Sequence, residues 1–174
     1  MKFKLHFDDT IFQLQTKGGI SKYWTEITSK ICASNFFEIK RTKGRKVNRY
    51  LPIPTNADIF HSSYYRIPIS KNTKNVVTIH DFIYELGFIK SLNNKINIWQ
   101  LKLALNAANA IVCVSENTKK DLLSIYPEFK NHPDIYVVSN GVSFKFDETL
   151  NQQPPVKLLE LSRTMLKQYL LFVG

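Results

Sequence analysis

The stretch "AIVCVSENTKKDLLSIY" (residues 110–126) decides how this chain folds. Its opening, "AIVCVS", is a continuous apolar run with no polar alternation, the pattern of a strand in the middle of a parallel sheet, covered on both faces. Its remainder, "ENTKKDLLSIY", reads as a helix, opened either by Ser115 or by the Thr118–Asp121 pair in capping-box spacing. A two-sided strand running straight into a helix is the start of a parallel crossover.

Working outward, the same alternation continues. "DIYVVSNGV" (134–142) is a strand that ends in an Asn-Gly turn, and "NVVTIHD" (75–81), "DIFHSSYY" (58–65) and "FKLHF" (3–7) are further strand-like runs. "LNNKINIWQLKLALNAANA" (92–110) is a long helix, apolar at Ile96, Trp99 and Leu103 and again at Ile98, Leu101 and Leu105. A stripe that wide predicts a well-buried helix. From Ile20 onward, Ile20, Tyr23, Trp24, Ile27 and Ile31 keep the spacing of one helix face. "KRTKGRKVNRY" (40–50) reads as a cationic loop, either an anion-contacting arm or, the better supported reading, a solvated connector. The expected fold is therefore α/β: a Rossmann-like, three-layer domain on a mostly parallel sheet.

In doubly wound sheets ligands bind beyond the carboxyl ends of the strands. The polar residues expected there are Gly18 and Gly19, His80 and Asp81, Ser115, and Asn140 and Gly141. The glycine pair, in "FDDTIFQLQTKGGISKYWTEI" (7–27), fits neither a P-loop nor G-x-G-x-x-G. It allows two readings: a tight turn needing positive φ, or bare N–H groups at a helix N-terminus, where the helix dipole favours a phosphate. His80 ends a strand, where imidazole can hydrogen-bond a substrate hydroxyl with Asp81 orienting it, or be satisfied by backbone. His61, mid-strand, reads as structural. Tyr64, Tyr65 and Arg66 form either an aromatic-cationic lip for a sugar or lipid, or simple packing.

Composition narrows the classes. With 44% apolar and 13% aromatic residues in 174, the chain can bury a proper core, which excludes disorder as a description of the whole. The formal charge of +10 points to a polyanionic partner: nucleic acid, anionic lipid headgroups or a phosphorylated small molecule. Nucleic acid is disfavoured, because no helix-turn-helix, zinc-finger or RNA-binding signature accompanies the charge. Cys32 and Cys113 lie far apart with no metal-ligand spacing, so neither a zinc site nor a disulfide framework is expected, which suits a cytoplasmic protein. No window is apolar for the length a membrane span requires, so any membrane is met from the side, at its inner face.

Taken together, "IFQLQTKGGISKYWTEI", "DIFHSSYYRIP", "KNVVTIHDFIYE", "NAANAIVCVSENTKKDLLSIYP" and "IYVVSNGV" resemble, in order and spacing, the N-terminal half of family 4 glycosyltransferases, retaining enzymes of GT-B fold. The resemblance implies two Rossmann-like domains facing across a cleft. The N-terminal one would receive the acceptor, often lipid-linked, and the C-terminal one most of the nucleotide-sugar. Gly18, Gly19 and Ile20 would then approach the donor diphosphate, and His80, with Asp81, would stand at the transferred sugar. Lys17, Tyr64, Arg66, Ser115, Asn117, Thr118, Asn140 and Gly141 would line the acceptor side. It implies no cofactor beyond the nucleotide-sugar substrate and no metal.

On this resemblance, residues 1–146 are the acceptor-side domain and 147–168 a linker with a short helix. "YLLFVG" (169–174) looks like the first strand of a donor-binding domain that would be supplied in cis or by a separate chain. The expectation is half a cleft, little transfer by the chain alone, and self-association through that strand and the unfilled cleft face. The alternative is a non-catalytic Rossmann-like module that binds glycan or anionic lipid.

Overall fold

The computed structural model describes residues 2–88 and 94–141; the expectations for 142–174, including the linker and "YLLFVG", lie outside these residues. Six strands, β1 (Phe3–Asp8), β2 (Phe37–Thr42), β3 (Ile59–Ser62), β4 (Lys74–Ile79), β5 (Ala110–Cys113) and β6 (Ile135–Val137), form one sheet in the order β2-β1-β3-β4-β5-β6. Every adjacent pair is parallel, so all six carboxyl ends lie on one edge. A one-turn helix α1 (Ile11–Leu14) and α2 (Gly19–Ala33) link β1 to β2, α3 (Asn94–Asn106) precedes β5, and α4 (Glu116–Ile125) follows it.

The register explains the three layers. Phe7, His61 and Val76 are aligned across β1, β3 and β4 and so share a face. Trp24 of α2 packs there, edge-on to Phe7 at 5.4 Å and to His61 at 4.9 Å between ring centroids. One residue on in register, Val77, Ile79, Ile111 and Cys113 point the other way and meet Leu101 and Leu105 of α3 and Leu122 of α4. Cys113 is fully buried there, and burial pushes its thiol up to about 11. Fully burying one such Leu or Ile contributes roughly 1.5–3 kcal/mol, so these two clusters fix which helix lies on which face.

Two expectations change. The segment 40–50 is not one loop: β2 takes its first three residues and a 3-10 turn spans Lys46–Tyr50. Strand β2 is masked in the sequence by Lys40 and Arg41, although Phe37, Ile39 and Arg41 alternate onto one face. Helix α3 is not well buried; it buries Gln100, Leu101, Ala104 and Leu105 and leaves Ile96 45%, Trp99 57% and Leu103 36% exposed. Of the two caps proposed for α4, the N-cap is Ser115, whose Oγ accepts from the Thr118 N–H at 3.0 Å.

Candidate functional site

The topology reverses at β1: the chain goes outward to β2, then returns past β1 to β3. In such sheets the crevice at the reversal is the expected ligand position. Here the protein fills it with its own polar groups. Asp8, at the end of β1, accepts from Ser62 Oγ (2.8 Å), Thr10 Oγ1 (2.9 Å to each oxygen) and Arg66 Nη1 (3.0 Å). Asp9 accepts from Trp24 Nε1 at 2.7 Å and from Arg41 Nε and Nη2, each at 2.9 Å. Ser63 closes the seam, donating from both N–H and Oγ to the Asp8 carbonyl. Burial pushes the Asp8 carboxyl above its ordinary range, opposed by Arg66 and the two hydroxyls.

Arg66 is therefore buried in an ion pair with Asp8 and forms no lip. Charges removed from water are tolerated only when paired and hydrogen-bonded, and both carboxylates meet that condition.

The open cleft sits beside this network, with a volume of ≈350 Å³. It brings together Ile11, Gln15 and Ile20 from the β1–α2 segment, Tyr64 and Tyr65 after β3, His80, Asp81 and Glu85 after β4, Arg49 from the 3-10 turn, and Asn97 and Leu101 of α3. His80 lies edge-on to Tyr23 with ring centroids 4.9 Å apart, and Thr118 Oγ1 donates to its carbonyl at 3.4 Å. Burial lowers the His80 pKa, with Asp81 opposing. The imidazole is thus neutral at neutral pH and able to hydrogen-bond a hydroxyl without presenting a charge. Asp81 is exposed and accepts from the Ile83 N–H at 3.3 Å.

Tyr64 and Tyr65 stack obliquely at 5.4 Å, and the Arg49 guanidinium lies over the rings of Tyr50 (4.5 Å) and Tyr64 (5.4 Å). Tyr65 holds φ +49, the left-handed region that a bulky residue adopts only under constraint. Arg49 was not singled out by the sequence, because it stands in a run of basic residues that reads as solvated.

A second groove, shallow and ≈430 Å³, runs along Thr16, Lys17, Gly18, Gly19, Ser21, Lys22 and Thr25. Ile20, between the residues of this groove, faces the cleft instead, so the glycine turn separates the two. The first intrahelical bond of α2 is Lys22 N–H to the Gly18 carbonyl at 2.9 Å. The N–H groups of Gly19, Ile20 and Ser21 precede that ladder, and no side chain caps them.

The positive-φ turn is not what the glycines supply: Gly18 is extended at φ 165, and Gly87 is the positive-φ glycine among the described residues. A Cβ on Gly19 would meet no atom within 4 Å. Neither backbone conformation nor packing demands glycine at position 19.

The remaining candidates divide. Ser115 and Thr118 are engaged in the α4 cap, their hydroxyls 2.9 Å apart, while Asn117 and Asn140 are exposed and, like Gly141, line neither cavity. His61 is structural: it is buried with Nε2 2.9 Å from Thr78 Oγ1, and burial lowers its pKa to about 4. No group of three or more His, Cys, Asp or Glu side chains suited to a metal ion occurs among the described residues.

A solved alpha-glucosyltransferase, in complex with UDP-glucose and DNA containing an abasic site, is similar to 79% of this chain at 16% identity and a TM-score of 0.43; the match spans 42% of that structure's length. No curated protein matches the chain. The sequence profile of Glycosyltransferase Family 4 matches residues 29–146, well over half of the chain. The chain therefore belongs to glycosyltransferase family 4.

Proposed function

We propose that this domain forms the acceptor-side wall of an enzyme that moves a sugar from a nucleotide-sugar to a hydroxyl of a glycan or lipid-linked acceptor. The nucleotide itself would be held chiefly by a second domain, in cis or on another chain. The observation that carries the reading is the glycine turn: uncapped amides at the positive end of α2, beside the His80 cleft, with glycine at a position where the fold does not require it.

The chemistry follows from these groups. Breaking the bond between the anomeric carbon and the diphosphate oxygen puts negative charge on that oxygen. Uncapped N–H groups at the start of α2 would stabilise that charge without reorganising, and Lys17 and Lys22 add positive potential along the groove. Neutral His80 hydrogen-bonds a hydroxyl of the transferred sugar and holds the ring as positive charge grows at the reacting carbon. The acceptor oxygen bonds to that carbon on the face the diphosphate leaves, and its proton passes to the departing oxygen. Closure of the cleft excludes water and aligns the reactants. The net charge of +10 supports an acceptor carried on an anionic surface, reached from the cytoplasmic side of a membrane and built into a surface polysaccharide or glycolipid.

The test is donor-dependent transfer by the chain combined with a family donor-binding domain, assayed across a panel of nucleotide-sugars. His80→Ala should lower turnover by roughly a hundredfold while the denaturation midpoint changes little. A folded complex that transfers nothing from any donor would favour a non-catalytic binding module.

A further inference from the structure

The outer face of α3 is apolar where a solvated helix would be polar. At about 100° per residue, Ile96, Trp99 and Leu103 fall within about 60° of one another. All three are exposed, Trp99 the most at 57%. Gln100, about 40° beyond Ile96 on the same helix, turns inward and donates from Nε2 to the Arg49 carbonyl. That bond ties α3 to the 3-10 turn, where Val47 (71%) and Tyr50 are exposed, as is Leu51 just after it. Scattered exposed apolar residues need no explanation, but three on one stripe of a helix, with more on an element tethered to it, do.

The surroundings of the patch are basic. Lys95 and Lys102 border the stripe along its Trp99 side, Lys102 also reaching Glu128 at 3.7 Å, and Arg45 and Lys46 open the turn. The same two elements supply Arg49, Asn97 and Leu101 to the cleft wall. An apolar strip fringed by lysine and arginine is the pattern of a helix lying in the headgroup region of a bilayer.

We infer that the outer face of α3, with the Lys46–Tyr50 turn, is the surface by which this protein lies on an anionic bilayer, setting the cleft against the headgroups. The inference deepens the proposed function and rests on its membrane-borne acceptor. The apolar side chains enter the interface, the basic ones meet the anionic headgroups, and the acceptor's hydroxyl reaches the cleft without leaving the bilayer.

The two tryptophans make the test direct. Trp24 is 1% exposed and already apolar in its surroundings, so a change in emission on binding reports Trp99. The full chain is mixed with phosphatidylcholine vesicles, with and without phosphatidylglycerol, at low and high salt. The expected result is co-sedimentation that needs the anionic lipid and weakens with salt, with a blue shift of emission and quenching by brominated lipid.

Trp99→Phe should keep binding and lose the shift. Ile96→Ser with Leu103→Ser should weaken partitioning roughly tenfold without changing the circular dichroism. Three results would overturn the inference: no partitioning; partitioning with Trp99 still in water; or self-association that covers Trp99 in a chain that ignores lipid. Because no donor is present, failure of sugar transfer and failure of docking are read separately.

Discussion

Two polar clusters sit at the same edge of the sheet and behave in opposite ways. At the β1–β3 crevice, Asp8 and Asp9 are each enclosed by donors, with an arginine apiece. At the α2 N-terminus and the β4 end, the amides are uncapped and His80 faces a cavity. A polar group whose bonds are completed inside the protein is holding the backbone in place. One whose bonds are left open is available to a ligand. The crevice that topology alone would nominate is of the first kind.

The contrast is broken most severely by removing an arginine. Arg66→Leu leaves Asp8 buried and unpaired, and should cost about 3–5 kcal/mol in a denaturant titration. Asp8→Asn in the same background should restore part of the loss, since a neutral amide no longer needs the ion pair.

Next in size is acid. His6 and His61 both have pKa values lowered to about 4 by burial. Between about pH 6.5 and pH 4 the unfolded chain takes up protons that the folded chain refuses, so their contribution is complete above pH 6.5 and is lost as pH falls through 4. Each is worth on the order of 3 kcal/mol at full effect. Asp8, whose carboxyl is pushed up, works in the opposite sense. His61→Gln, which can keep a bond to Thr78, isolates the histidine by flattening stability against pH.

Smaller again, Ser115→Ala removes the cap of α4 and should cost about 1 kcal/mol, read from the midpoint of thermal unfolding. Smallest in stability and sharpest in meaning is Gly19→Ala. With open space around the new methyl and no positive φ to strain, stability should hold or rise by a few tenths of a kcal/mol. If the turn serves a diphosphate, donor affinity should fall in the same variant; unchanged affinity would place the turn with the structural cluster.

Much of the fold was legible because it is written in local patterns. The apolar run at Ala110–Cys113 predicted an inner parallel strand, and Ser115 was one of the two caps proposed for α4. What failed was either disguised or non-local. Lys40 and Arg41 hid β2, since alternation is judged by residue type and Arg41 turns its charge to Asp9. Apolar residues around most of α3 predicted burial, but the number of neighbours a helix finds is set by tertiary packing, and among the described residues α3 buries only Gln100, Leu101, Ala104 and Leu105.

The switch-point network was illegible for the same reason: Asp8 meets Arg66 across 58 residues and Asp9 meets Arg41 across 32, and no window spans either pairing. Among the site residues, His80 and Ile20 were placed by strand ends and helix spacing. Arg49 needed the turn that folds a cationic segment back against α3.

The inertness of Cys113 has a practical consequence. With that thiol sealed in the core and reluctant to ionise, Cys32, exposed near the end of α2, is the one sulfhydryl that reagents in water will meet among the described residues. A maleimide dye or spin label can therefore be attached to the native sequence at a single position. It would report on the far end of the helix that begins at the glycine turn, with no cysteine to be engineered in or out.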